Sequence, residues 1–331
     1  MVEQAIAPGR SITALAARYL SAGRCILGVG CRSCETRANC GHSKTMPRAH
    51  LILIFAAALA IPLLGVAQEN DQGKQAPDAS SAAQNAAPAA PKSCDARSVM
   101  LNFPIYRDGE VVREAPVWRL GDSTPYFFAA GMTIDADGSP NAYNPENTGL
   151  DDLANAGQPG HWDGVLQDRD GKPLVQGPDD PFPGYYISCT SLADRTKPPL
   201  DPTRFVDASK IPYVVLPREV AFDSGTRLGD FAVAMNMRTG AWSSAIFADV
   251  GTFGEGSIAL ADNLGIRSDA RRGGTWGGVL YLVFPGSGNG QPRSMDEINE
   301  AASKALQVWG GAEQLSSCAA SSRHTMWPWY R

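Results

Sequence analysis

Seven short apolar runs punctuate this chain, at 117–120, 126–134, 185–191, 213–216, 231–236, 243–248 and 279–284. Each is rich in β-branched or aromatic residues and is bounded by Gly, Pro or Asp, which is the pattern of strands. Helical pattern is confined to 150–156, to the segment after Glu255, and to 294–308, where Met295-Asp296-Glu297 opens a helix and Gly310-Gly311 closes it. Many short strands with few helices predict a mainly β (α+β) fold, a compact β-barrel-like domain with a few marginal helices.

The organised part is expected to occupy only part of the 331 residues. Residues 51–66 form an apolar run that follows Met46-Pro-Arg and ends in the small residues Gly65-Val66-Ala67. A basic start, a short apolar stretch and small residues at the cleavage point describe a secretory signal peptide. The run is short of the ~20 residues that a spanning helix needs. The expectation is therefore a true start at Met46, a signal peptide over 46–67, and an upstream mis-translated segment over 1–45. That segment carries a lone Cys31-Arg-Ser-Cys34, whose second pair of zinc ligands is poorly spaced. Residues 68–92 have no aromatic residue and no aliphatic larger than Ala, so they read as a disordered Ala/Pro-rich linker. The domain is expected over 93–318, with a C-terminal tail over 319–331, in a secreted or periplasmic protein.

Without residues 1–67 the formal net charge moves from −5 to −10, with 22 basic residues against 32 acidic. An acidic exported protein is a poor partner for nucleic acid or anionic lipid and attracts a polycation. No stable membrane association after signal cleavage is expected, and the chain is read as a monomer. Cys94, Cys189 and Cys318 remain in the exported part. Cys94 and Cys318 stand at the two edges of the domain, where termini often meet, so they are expected to pair as a disulfide. Cys189 is read as a buried small side chain on a strand. Only His161 and His324 lie beyond the leader, too few for a His-based metal site or a Ser-His-Asp triad. The glycines at 286–290 lack the lysine and helix start of a phosphate loop. No metal and no cofactor is expected.

Two acids stand out. Asp249 ends an apolar strand, and Glu255 follows the turn Gly251-Thr252-Phe253-Gly254 and precedes a helix closed by Gly265. Fully extended, six residues carry these carboxylates roughly 20 Å apart, so the turn has to fold them back if they are to act on one bond. A strand-end acid and a helix-start acid also have an ordinary explanation in surface chemistry and the helix dipole. If they act, the helix N-terminus is expected to keep Glu255 ionised as a base, and the apolar strand to raise Asp249 as an acid. Asp135-Ala-Asp137-Gly138 resembles the opening of a calcium loop but lacks the later ligands, and a turn is the expected structure.

The segments LGDFAVAMN (228–236), AIFADVGTFGEGSIALADNLGI (245–266) and GVLYLVFPGSG (278–288) resemble the bacterial secreted chitosanases of glycoside hydrolase family 75. TIDADGSPNAYNPENTGLDDLANAGQPGHWDGV (133–165) and IPYVVLP (211–217) are similar to the same branch. The most specific piece is Asp249, Gly251, Gly254, Glu255 and Ser257, and the resemblance spans roughly 127–311. It implies an inverting endo-hydrolase of the β-1,4-glucosamine polymer chitosan, with Asp249 and Glu255 as its two acids. The family's turn between them is longer than the one here. Asp135, Asp137 and Asp230 are then expected to give a negative cleft for a cationic polysaccharide, and Trp242 and Trp276 to stack on sugar faces. An exported non-catalytic amino-polysaccharide-binding protein and a hydrolase of another amino-sugar polymer, such as cell-wall glycan, remain alternatives.

Overall fold

The structure is a computed structural model and describes residues 93–107 and 110–323. The expectations placed on 1–92 and 324–331, among them the leader and the linker, lie outside the described residues. The strands, in chain order, are β1 (Arg97–Arg107), β2 (Glu110–Leu120), β3 (Tyr126–Asp135), β4 (Gly157–Gln158), β5 (His161–Trp162), β6 (Tyr213–Leu216), β7 (Phe231–Asn236), β8 (Trp242–Val250), β9 (Glu255–Ser257) and β10 (Thr275–Val283). The helices are α1 (Arg218–Ser224), α2 (Ile258–Asn263), α3 (Met295–Trp309) and α4 (Gly311–Ser322).

Six strands close on themselves in the order β3-β10-β7-β8-β6-β9, with β9 returning to β3. The β6–β8 and β3–β9 pairs are parallel and the others antiparallel, so this is a mixed six-stranded barrel. β1 and β2 extend the sheet from the flank of β3. The domain is thus mainly β, as the strand pattern predicts.

Closure explains why the strands read as nearly continuous apolar runs rather than alternating ones, because both faces are covered. Along β3, Phe127 and Ala129 join one buried layer while Tyr126, Phe128, Ala130, Met132 and Ile134 join the other. The first layer lies on the outside, since Ile298, Ala302 and Leu306 of α3 and Leu315 of α4 belong to it. The second is inside the barrel, stoppered by Val220 and Ala221 of α1, by Leu260 and Ala261 of α2, and by Leu264, which caps α2. Phe128 stacks on Tyr281 there, centroids 4.9 Å apart. Truncating such a ring to Ala is expected to destabilise the domain by about 3–5 kcal/mol.

Several local expectations need correction. Residues 185–191 form no strand; only the isolated bridges Val175–Tyr186 and Val165–Ser188 occur, because this segment belongs to the long irregular chain 136–210. Cys189 is therefore buried off any strand, with Sγ 3.6 Å from the Asp163 carbonyl. The 150–156 pattern is realised as one 3-10 turn, Leu153–Ala156. The predicted start of α3 is realised as a capping box in which Ser294 and Glu297 each take the other's backbone N–H. Gly310-Gly311 closes α3 as expected, the Gly310 N–H donating to the Leu306 and Gln307 carbonyls. With φ of 133° and 76° these glycines turn the chain directly into α4. Cys318 of α4 is joined to Cys94 as a disulfide, Cα to Cα 5.1 Å.

Candidate active site

Asp249 owes its direction to a bulge. Along β8, Ile246 belongs to the outer layer and Phe247 to the inner one, so simple alternation would send Asp249 inward. The β6–β8 register instead steps from Val214–Phe247 to Val215–Asp249, leaving Ala248 as the extra residue. An inserted residue of this kind re-aims the side chain that follows it. The Ala248 carbonyl accepts from Leu192 N at 2.8 Å, and Asp249 Oδ1 accepts from Ser191 N at 2.9 Å and Ser191 Oγ at 2.5 Å. The irregular chain 136–210 thus seals the bulge from outside and holds the carboxylate.

Glu255 reaches the same face by a different route. It opens β9, and that strand lies on the other flank of β6, where Val215 pairs with Glu255. Val215 is therefore the partner of both acids, one on each side. Two strand spacings put their Cα atoms roughly 10 Å apart. Strand register, rather than the length of the turn, sets this separation. The turn itself is tight: Gly254 has φ of 80°, and a Cβ there would come within 2.7 Å of Ala130 Cβ. Glu255 Oε2 accepts from Thr252 N at 3.0 Å. Phe253 anchors the turn, its ring centroid 4.4 Å from Phe128 and 4.9 Å from Phe103.

The helix expected after Glu255 begins at Ile258, with the strand β9 between them. Ser257 is its N-cap and accepts from Leu260 N at 3.1 Å. Glu255 therefore gains no helix terminus. Burial pushes its carboxyl up to about 7, and the nearby Asp249 charge adds to the effect. Burial also raises Asp249, but the Ser191 and Val250 donors pull it back to about 6. Both carboxyls thus lie above the usual range, and Asp249 has the larger set of donors to its ionised form.

Asp135 and Asp137 complete the cluster from the end of β3. Asp135 is paired in register with Ser257 of β9, and its Oδ1 accepts from Asp137 N at 2.8 Å, closing the expected turn. Tyr143 Oη donates to Asp137 Oδ1 at 2.7 Å, and Tyr213 Oη donates to the Asp137 carbonyl at 3.1 Å. Gly164 leaves room for the Asp137 carboxylate, since a Cβ there would sit 2.7 Å from Oδ1. Burial holds both carboxyls well above the usual carboxylate range, reinforced for Asp135 by Asp137, Glu255 and Asp249 and for Asp137 by Asp249, Glu255 and Asp151.

Of the other residues singled out from sequence, Trp276 lies close and two do not. Trp276 is 92% exposed, and its backbone abuts Gly131 of β3, the same glycine that Gly254 touches from the β9 side. One intervening strand thus separates it from the Glu255 flank, roughly 10 Å. Trp242 begins β8, seven residues and roughly 20 Å from Asp249, and borders a separate cavity of about 370 Å3 with Asn263 and Asn299. Asp230 turns away from the cluster. It is 1% exposed, and its oxygens accept from Arg227 N, Gly286 N and Gly288 N at 2.8–3.0 Å. It clamps two turns together and does not line a cleft.

Asp151, Asp163, Tyr143, Tyr213 and Ser191 are neighbours of the cluster that sequence reasoning missed. Asp151 is buried and accepts from Asn155 Nδ2 at 2.9 Å, while the charge of exposed Asp163 raises Asp249. Nothing in their local sequence marks them: the long chain 136–210 delivers all but Tyr213, which opens β6. Exposed Ser191, Asp163 and Thr252 border the acid face, while Asp249 itself is 9% exposed and Asp135 8%. No protein-family model matches the chain, and no curated protein matches it.

Proposed function

We propose that this chain is an exported, monomeric glycoside hydrolase that cuts the β-1,4-glucosamine linkages of chitosan by a single displacement at Asp249 and Glu255. The observation that carries the reading is the shared partner: both acids pair with Val215, from opposite flanks, on one solvent-bordered face of the barrel. Inversion needs carboxyls about 6.5–9.5 Å apart, one protonated and one ionised, with room for water between them. Side chains rising from Cα atoms two strands apart suit that span better than the 5–5.5 Å of a retaining pair.

The donors suggest the roles, three of them favouring an ionised Asp249 and one backbone N–H reaching Glu255. Glu255, near 7, holds its proton longer and delivers it to the glycosidic oxygen as the C–O bond breaks. Asp249, near 6 and oriented by Ser191, is the carboxylate that takes a proton from the water attacking the opposite face of the sugar. Exposed Asp163 borders the cluster, and a cation placed beside the buried Asp135, Asp137 and Asp151 would help those carboxyls ionise, which favours a cationic polymer over a neutral one. Trp276 offers an exposed ring beside the Glu255 flank for a sugar face. The resemblance of 228–236, 245–266 and 278–288 to family 75 chitosanases supports the same reaction.

The test is reducing-end release from largely deacetylated chitosan, chitin and peptidoglycan, by the chain and by its Glu255→Gln form. Release from chitosan, lost in the variant, is expected. Release from peptidoglycan instead moves the substrate to cell-wall glycan. Retention of chitosan without any release leaves a binding protein.

A further inference from the structure

β1 and β2 pair along their whole length, but β2 meets β3 only over Val117–Arg119. Beyond Pro116 the two strands leave the barrel as an arm, and every side chain from Glu110 to Glu114 is exposed. A ring on this arm points back. Phe103, opposite Ala115, lies flat on Phe253 of the turn between the two acids, ring planes 10° apart and centroids 4.9 Å. Phe253 rests in turn on Phe128 at 4.4 Å, and Phe128 on Tyr281, whose Oη donates to the Gly131 carbonyl at 2.8 Å. Four rings thus run from the arm, through the turn, into the barrel interior.

The turn needs such a hold. Its ends are fixed by backbone, Gly251 N donating to the Leu216 carbonyl at 3.2 Å and the Gly254 carbonyl accepting from Thr133 N at 3.0 Å. Between them, the backbones of Thr252 and Phe253 make no hydrogen bond to another backbone group among the described residues. Gly251 adds freedom, and room, since a Cβ there would sit 2.9 Å from Val215 Cγ1 and 3.1 Å from Glu255 Oε2. Thr252 is exposed, so its N–H has water as an alternative partner, yet it donates to Glu255 Oε2 at 3.0 Å. The Phe253 ring, gripped on both faces, keeps that N–H turned inward, because stacked rings favour one geometry over its neighbours.

We propose that Phe103 is a positioning residue for Glu255: the arm clamps the turn through the Phe103–Phe253 contact and so fixes the backbone donor that reaches the carboxylate. Its effect on rate rests on the reading of Glu255 as the proton donor; its effect on the Thr252–Glu255 bond does not. The titratable groups that face Glu255 stand on other elements, Asp249 on β8, Asp135 on β3, Tyr281 on β10, and Asp137 and Asp151 in the chain 136–210. Changing Phe103 alters none of these charges.

The Thr252 amide resonance of the full chain, labelled with 15N-threonine and identified by its loss in Thr252→Ser, reads the contact directly, because an N–H bonded to a carboxylate follows that carboxylate's titration. The expected result is a titration of this amide between about pH 5 and pH 9 that disappears in Glu255→Gln. Phe103→Ala reduces it by at least about half, and Phe103→Leu, which keeps the apolar bulk without the ring, reduces it less. Phe103→Tyr keeps it, as does Val112→Ala, an exposed change elsewhere on the arm. On chitosan, Phe103→Ala is expected to lower kcat about tenfold with KM within about twofold. An unchanged Thr252 titration in folded Phe103→Ala or Phe103→Leu overturns the proposal, as does an equal loss in Val112→Ala. If the chain cuts no chitosan, the proposed reaction falls, while the amide titration still decides for or against Phe103.

Discussion

Asp230, just before β7, and Asp249, near the end of the neighbouring β8, are both buried, yet their surroundings differ in kind. Three backbone N–H groups converge on Asp230, so its charge is answered by fixed dipoles and it holds two turns together. Asp249 is held by Ser191 and Val250 while facing a crowd of other carboxyls, and Glu255 has a single N–H from Thr252. Burial alone therefore does not mark a functional acid. Negative charge left unanswered by the protein does, because a cationic substrate and a transferable proton are what remain to answer it.

Substituting the two kinds of acid separates them most sharply. Glu255→Gln and Asp249→Asn are each expected to lower kcat on chitosan about 10²–10⁴-fold with the fold intact, as steady-state kinetics and circular dichroism will show. Asp230→Asn is expected to leave kcat per folded molecule within about twofold. It puts an amide donor among three N–H groups and destabilises the domain by about 1–3 kcal/mol, measured by urea unfolding.

Stability should follow the same division. Asp249 and Glu255 have folded pKa values near 6 and 7, above their unfolded values near 4. Below about pH 4 both are protonated folded or unfolded, and their ionisation opposes nothing. As pH rises through 4 to 7 the unfolded chain loses protons that the folded one retains, so the folded state loses stability. Glu255→Gln is thus expected to raise Tm at pH 8 by about 2–4 °C or more, and to change it little at pH 4, in a thermal scan. Asp230→Asn lowers Tm at both.

Smaller changes sharpen the roles within the cluster. Ser191→Ala removes one of the Asp249 donors, so Asp249 titrates higher and the acidic limb of the pH–rate profile moves up, lowering kcat/KM several-fold at pH 5.5 while sparing pH 7. Trp276→Ala is expected to raise KM about five- to tenfold with kcat within about twofold, the size of one stacking contact; Trp242→Ala should leave both constants unchanged.

How far these contrasts could be read from the chain follows from what each depends on. β6 and β7 have the bounds expected from their apolar runs, because a strand covered on both faces advertises itself in four to six consecutive residues. The mixed barrel follows from many such strands. The bulge at Ala248 has no signature, since one extra apolar residue in an apolar run looks like more strand. β9 is three residues long and includes a glycine, so it shows no strand pattern, and the helix terminus expected beside Glu255 falls instead at Ser257. Asp230 sits in Leu228-Gly229-Asp230 beside an apolar run, as a cleft acid might; its three donors come from backbone, two of them more than fifty residues away.

The most direct test of the account is the pH–rate profile on deacetylated chitosan oligomers for the chain, Asp249→Asn and Glu255→Gln. The account predicts a bell whose limbs fall near 6 and near 7 and belong to the Asp249–Glu255 pair, with both variants inactive across the range. Activity within tenfold of the parent in either variant, or a profile that is flat between pH 5 and 8, would contradict it.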